Sequence, residues 1–144
     1  MTSYLNRISA IGLAALLMIV SGCGGVAPVP PVFLKANYTL ASAKAAEKDA
    51  KKPLLVMATA SWCGPCQALK RGALLDTQLA SIIDSKTLPV YLDVDENSDA
   101  AIELKVMSVP TLFLIREGRI VSKIGGVQTA EQLSQWLNEA VMQK

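Results

Sequence analysis

The chain has 144 residues, 51% of them hydrophobic and 18% charged, with 14 Lys and Arg against 12 Asp and Glu. That is room for one domain with a sizeable core, it excludes a wholly disordered chain, and a net charge of +2 offers no electrostatic footprint for nucleic acid. The absence of His excludes Ser-His-Asp and Cys-His catalysis and every His-ligated metal site, and three Cys are too few for a disulfide-dense scaffold.

Residues 1–7 carry one positive side chain, Arg7, and residues 8–20 carry no charge. This apolar run falls short of the ~20 residues a membrane-spanning helix needs and fits the hydrophobic region of a secretory signal. Small residues, Ser21 and Gly22, follow at the place of a cleavage site. Val20-Ser21-Gly22-Cys23 resembles the lipobox of bacterial lipoproteins. The resemblance implies removal of residues 1–22, lipidation of Cys23 and an exported, membrane-anchored protein facing the periplasm or the cell exterior. A free thiol behind an ordinary signal is the alternative. Gly24, Gly25, Pro28, Pro30 and Pro31 then argue against helix, so residues 23–36 are expected to form an extended tether. Whether Val32, Phe33 and Leu34 pack on the domain is left open.

Residues 38–51 are rich in Ala, Lys and Glu, with Leu40, Ala43, Ala46 and Ala50 at helical spacing, which predicts a first helix. Pro53 closes it. Leu54, Leu55, Val56 and Met57 form a continuous apolar run, as in a strand buried on both faces. A helix is predicted over residues 66–75. A further one follows behind Asp76 as cap, with Leu79, Ile82 and Ile83 inward. Residues 88–94 read as a second strand, and residues 98–105 as a short helix capped by Ser98. Residues 111–115 and 119–124 form two strands of a hairpin across Glu117-Gly118. Thr129 caps a last helix whose inward face is Leu133, Trp136, Leu137, Ala140 and Val141. This alternation predicts an α/β fold over residues 37–144, a central sheet with helices on both faces.

Two segments carry the chemistry. In Trp62-Cys63-Gly64-Pro65-Cys66 a thiol stands between a strand end and a helix start. The free N–H groups and dipole of a helix N-terminus stabilise a thiolate there. The second thiol lies one turn on, within reach of a disulfide, and Pro65 tolerates the first turn because its missing N–H would be unbonded anyway. Spacing alone leaves four readings: a redox pair, half a zinc site (with no second CxxC or His to complete it), a Cu(I) site, or an inert disulfide. Taken together the five residues resemble the active-site motif of the thioredoxin family. Ser108-Val109-Pro110-Thr111 resembles that family's loop with a cis proline, and Gly118 and Gly126 fall where thioredoxins have glycines.

The resemblance implies a thioredoxin-like fold with a mixed sheet, and a thiol–disulfide oxidoreductase. Cys63 would be the nucleophile and Cys66 the resolving thiol. Trp62, Gly64, Pro65, Val109 and Pro110 would form the substrate-binding surface. Val109 would lend backbone bonds to an extended substrate segment, and Pro110 would pack on the disulfide. No cofactor or metal is implied beyond the Cys63–Cys66 pair. The Gly-Pro between the cysteines is typical of reducing members. The implied partners are proteins with disulfides or dithiols and a membrane thiol protein as electron donor, with the chain itself a monomer. A Cu(I)-binding or partner-docking module is the rival.

Some positions depart from the family. Met57 stands where many thioredoxins bury an Asp, Tyr91 where its Lys partner lies, Gln67 where a basic residue follows the second Cys, and Thr59 where a second Trp is common. The stretches Lys52-Pro53-Leu54-Leu55-Val56 and Ala60-Ser61-Trp62-Cys63 are similar to exported thioredoxin-like domains. Asp93, Asp95, Glu96 and Asp99 form an acidic run, read as a solvated turn with a helix start.

Overall fold

A computed structural model describes residues 25–143. The predicted leader and Cys23 lie outside them. In chain order the elements are α1 (Pro31–Ala36), α2 (Leu40–Ala50), β1 (Leu54–Thr59), α3 (Gly64–Arg71), a 3₁₀ turn (Ala73–Leu75), α4 (Thr77–Lys86), β2 (Leu88–Asp93), α5 (Ser98–Glu103), β3 (Thr111–Arg116), β4 (Arg119–Gly125) and α6 (Ala130–Ala140). The sheet order is β2-β1-β3-β4. β1 runs parallel to β2 and antiparallel to β3, and β4 pairs antiparallel with β3, so the sheet is mixed. Tyr38, outside the named strands, adds a single parallel bridge to Val90 of β2.

Every residue of β1 is buried, as the unbroken apolar run requires of a central strand. Alternate side chains feed two cores. Leu55, Met57, Leu112 and Leu114 pack under α1, α3, α4 and α6. Leu54, Val56, Val90, Phe113 and Ile115 pack under α2 and α5. Helices on both faces are therefore obligatory, because each face of the sheet is apolar.

Caps explain most helix starts. Thr39 accepts from Ser42 N–H, Asp76 from Leu79 N–H and Thr129 from Gln132 N–H. The Gln132 side chain returns the bond by accepting the Thr129 N–H, which completes a capping box. The hairpin turns through Glu117 and Gly118, both at positive φ, the geometry that matches strand twist in a tight β-hairpin.

The structure corrects several expectations. The stretch read as a tether contains the helix α1. Pro31 begins it, where a fixed φ suits the first turn, and Asn37 ends it in the left-handed conformation. Val32 and Phe33 are buried in the first core, and Ala27 is buried as well, so burial of apolar side chains overrides the local breaker signal. α3 starts at Gly64 rather than Cys66 and stops at Arg71, with Ala73–Leu75 turning separately. α5 is preceded by Asn97 as N-cap, not Ser98, and makes no side-chain cap bond. Trp136 and Val141 are half-buried; the Trp136 indole N–H donates to Ser122 Oγ at 2.9 Å.

Candidate functional site

β1 ends at Thr59, and its parallel neighbour β2 ends at Asp93 on the same side of the sheet. Both cysteines sit at that end. Cys63 is the N-cap of α3, and its Sγ accepts the Cys66 backbone N–H at 3.1 Å. Cys63 and Cys66 form a disulfide, with Cα atoms 5.2 Å apart. Cys66 is 0% exposed and Cys63 4%, so only Cys63 reaches the surface, flanked by exposed Gly64 and Pro65. The α3 N-terminus thus holds a backbone N–H on the Cys63 sulfur, the environment that favours a thiolate once the bond is reduced.

The loop before β3, the strand next to β1, faces this pair at the same end of the sheet. Its Val109–Pro110 bond is cis. The Val109 carbonyl oxygen lies 3.6 Å from Cys63 Sγ. Thr111 Oγ1 donates to Ser108 O at 2.8 Å and Gly126 N–H donates to Pro110 O at 2.9 Å, so the loop is pinned on both sides. Among the described residues the Val109 N–H and C=O make no backbone hydrogen bond. They are free to pair with an added strand.

A groove of about 270 Å³ beside Cys63 is lined by Trp62, Val94, Val106, Met107 and Val109. Trp62 is 70% exposed and Met107 89%, large apolar side chains that a folded chain leaves in water only at a cost. The Trp62 indole N–H donates to Asp95 Oδ2 at 2.8 Å, which fixes the ring at the groove's edge. The larger cleft, about 550 Å³ between the end of α2 and the β3–β4 turn, lies at the opposite end of the sheet and contains no thiol.

Of the seven residues expected from sequence, Trp62, Gly64 and Pro65 are exposed, Val109 is half-buried and lies against the barely exposed Cys63, and Cys66 and Pro110 are buried. Three contributors were missed. Asp95 was read as part of a solvated turn, and only the fold brings it to Trp62. Met107, which no sequence motif singles out, lines the groove. Gln67, noted only as a substitution, is buried and bonds entirely to backbone: Nε2 donates to Ala60 O and Ser61 O at 3.1 and 3.0 Å, while Oε1 accepts the Ala27 N–H at 2.7 Å. Two of the other departures are neighbours, since Met57 and Tyr91 are register partners. Lys70, on α3, places its ammonium 3.1 Å from the Tyr91 hydroxyl and 5.7 Å from the ring centroid. A cation thus approaches this spot from a helix rather than from the second strand.

Comparison with known proteins agrees with this geometry. The thioredoxin family model matches residues 35–139. The chain belongs to the thioredoxin family.

A thioredoxin of Staphylococcus haemolyticus is 40% identical over 80 residues, covering 56% of this chain and 74% of that protein. The mitochondrial thioredoxin of Mus musculus is 33% identical over 93 residues, covering 65% of this chain and 54% of the mouse protein. Among solved structures, a thioredoxin from Nicotiana alata is 29% identical with a TM-score of 0.55, covering 67% of this chain and 80% of that one. A solution structure of a Thermus thermophilus thioredoxin has the same fold at 18% identity, with a TM-score of 0.64, covering 71% and 83%. A chain from a study of thiol resolution in yeast mitochondrial 1-Cys peroxiredoxin by glutathione and thioredoxin systems is 30% identical, with a TM-score of 0.51, covering 61% and 78%. This member of the family is a thiol–disulfide oxidoreductase, and its CxxC pair closes the disulfide that such chemistry uses.

Proposed function

We propose that this thioredoxin is an exported, membrane-tethered reductase of protein disulfides. The observation that carries the chemistry is Cys63 capping α3, bonded to Cys66 and facing the unpaired backbone of Val109. In the reduced protein the Cys63 thiolate attacks one sulfur of a substrate disulfide. The other substrate sulfur leaves as a thiolate and takes up a proton. Cys66, deprotonated, then attacks Cys63 Sγ, the Cys63–Cys66 bond forms, and the second substrate thiol departs. Two electrons and two protons have passed to the substrate.

An extended segment beside the substrate cysteine pairs with the Val109 backbone, while Trp62, Gly64, Pro65 and Pro110 shape the surface it lies on. Gly64-Pro65 between the cysteines supports the reducing direction. Oxidised thiol peroxidases are one substrate class, suggested by the peroxiredoxin study whose chain this one matches. The leader-like residues 1–22 and Cys23 support export and a lipid anchor; among the described residues no helix is long and apolar enough to cross a membrane. The oxidised pair is recharged by a dithiol protein of the same membrane, and the chain works as a monomer.

The deciding measurement is the reduction potential of the pair, in a chain starting at Gly24, equilibrated against dithiothreitol or glutathione buffers. The reductase reading expects a value near the ~−270 mV of thioredoxin. A value near ~−120 mV reverses the direction and makes the protein a thiol oxidant. Failure to form a reversible disulfide removes the oxidoreductase reading in favour of Cu(I) binding.

A further inference from the structure

Residues 25–36 are not a spacer. The Gly25 carbonyl oxygen accepts from Arg71 Nη2, near the end of α3. The buried Ala27 N–H donates to Gln67 on the first turn of α3. Val29 packs against the first core, Val32 and Phe33 lie inside it, and the Phe33 ring meets Tyr91 edge-on at 6.5 Å between centroids. The segment is a strap along the active-site helix, and Gln67 joins it to Ala60 and Ser61, the residues that lead into Trp62 and Cys63.

Outward, this strap also presents apolar side chains. Val26 and Leu34 are each 64% exposed, with the cationic side chains of Lys35 and Arg71 beside them in sequence or by contact; Lys35 also pairs with Asp84 at 3.0 Å. Leu75, just beyond α3, is exposed too. Exposed apolar side chains with cations beside them suit the headgroup boundary of a bilayer. Cys23 precedes Gly25 by two residues, a span of at most ~7 Å of extended chain. An anchor at Cys23 therefore brings the membrane close to the Gly25 end of the strap, beside Arg71.

We propose that the face carrying the strap rests on a lipid bilayer, so that the strap mounts α3 and Cys63 at a fixed height and orientation above the membrane. This rests on the lipid-anchor reading above. Its consequence is a restricted choice of partner: thiol exchange favours proteins of the same membrane whose cysteines lie at that height.

The test uses the mature chain from Cys23, which keeps every side chain of both cores. In the oxidised protein Cys23 is the one free thiol of three, so it alone couples to a maleimide-headgroup lipid in phosphatidylethanolamine–phosphatidylglycerol nanodiscs. Nitroxide-headgroup lipid then broadens the amide NMR signals nearest the bilayer. Signals from Val26, Leu34, Lys35 and Gly72–Leu75 are expected to lose most of their intensity while those of Arg119–Gly125, on the far edge strand, keep theirs. Uniform loss along the chain, or greatest loss in β4, overturns the proposal. The anchor is checked separately by the mass of the N-terminal peptide from cells. An unmodified Cys23 overturns the anchor reading and the proposal together, whereas uniform loss with an acylated Cys23 overturns the proposal alone.

Discussion

At the scale of residues, the two cysteines are chemically alike and positionally distinct. Cys63 caps the helix and meets solvent; Cys66 is wholly buried behind it. Cys63→Ser is expected to abolish disulfide exchange, and Cys66→Ser to accumulate mixed disulfides with substrate, read by non-reducing electrophoresis and mass. Multiple turnover by the Cys66 variant would contradict the dithiol scheme. Trp62 is held by Asp95, and both are exposed, so Asp95→Ala is expected to leave stability nearly unchanged. It is expected to raise KM for a peptide disulfide by about threefold, the worth of one ordinary hydrogen bond. Thr59 is fully buried and its Oγ1 has no hydrogen-bond partner among the described residues. A buried unpaired hydroxyl costs roughly 1–3 kcal/mol, so Thr59→Val, close in shape, is expected to raise stability by about 1 kcal/mol in urea unfolding.

At the scale of elements, the strap and α1 carry the clearest expectation. Phe33 lies in the first core and contacts Tyr91, so Phe33→Ala leaves a cavity there. The expected loss is about 3–5 kcal/mol, measured by denaturant midpoint at constant slope. A short helix of marginal intrinsic stability exists here because the fold supplies its partner surface. The same dependence explains why α1 was not legible. Pro30, Pro31 and the glycines speak for extended chain, and nothing local announces that Tyr91 waits to receive Phe33. By contrast β1, α4, the β3–β4 hairpin and α6 were legible, because an unbroken apolar run, a Thr or Asp cap and a Glu-Gly turn act within a few residues of themselves.

At the scale of the whole molecule, β1 contributes side chains to both cores, so neither face of the sheet can open without disturbing the other. One cooperative unfolding transition is expected, with tryptophan fluorescence and far-UV circular dichroism giving the same urea midpoint. An earlier fluorescence transition would show the active-site end loosening separately.

The sequence by itself determined the redox pair, the loop that faces it, the α/β alternation and the family, because these rest on short motifs and on periodicities that burial imposes locally. Only the tertiary structure decided that Asp95 orients Trp62, that Met107 lines the groove and that Gln67 ties residue 27 to the loop before the nucleophile. Those contacts join residues 33, 45 and 40 positions apart along the chain, and their partners are chosen by how the strands and helices stack rather than by any neighbour in sequence.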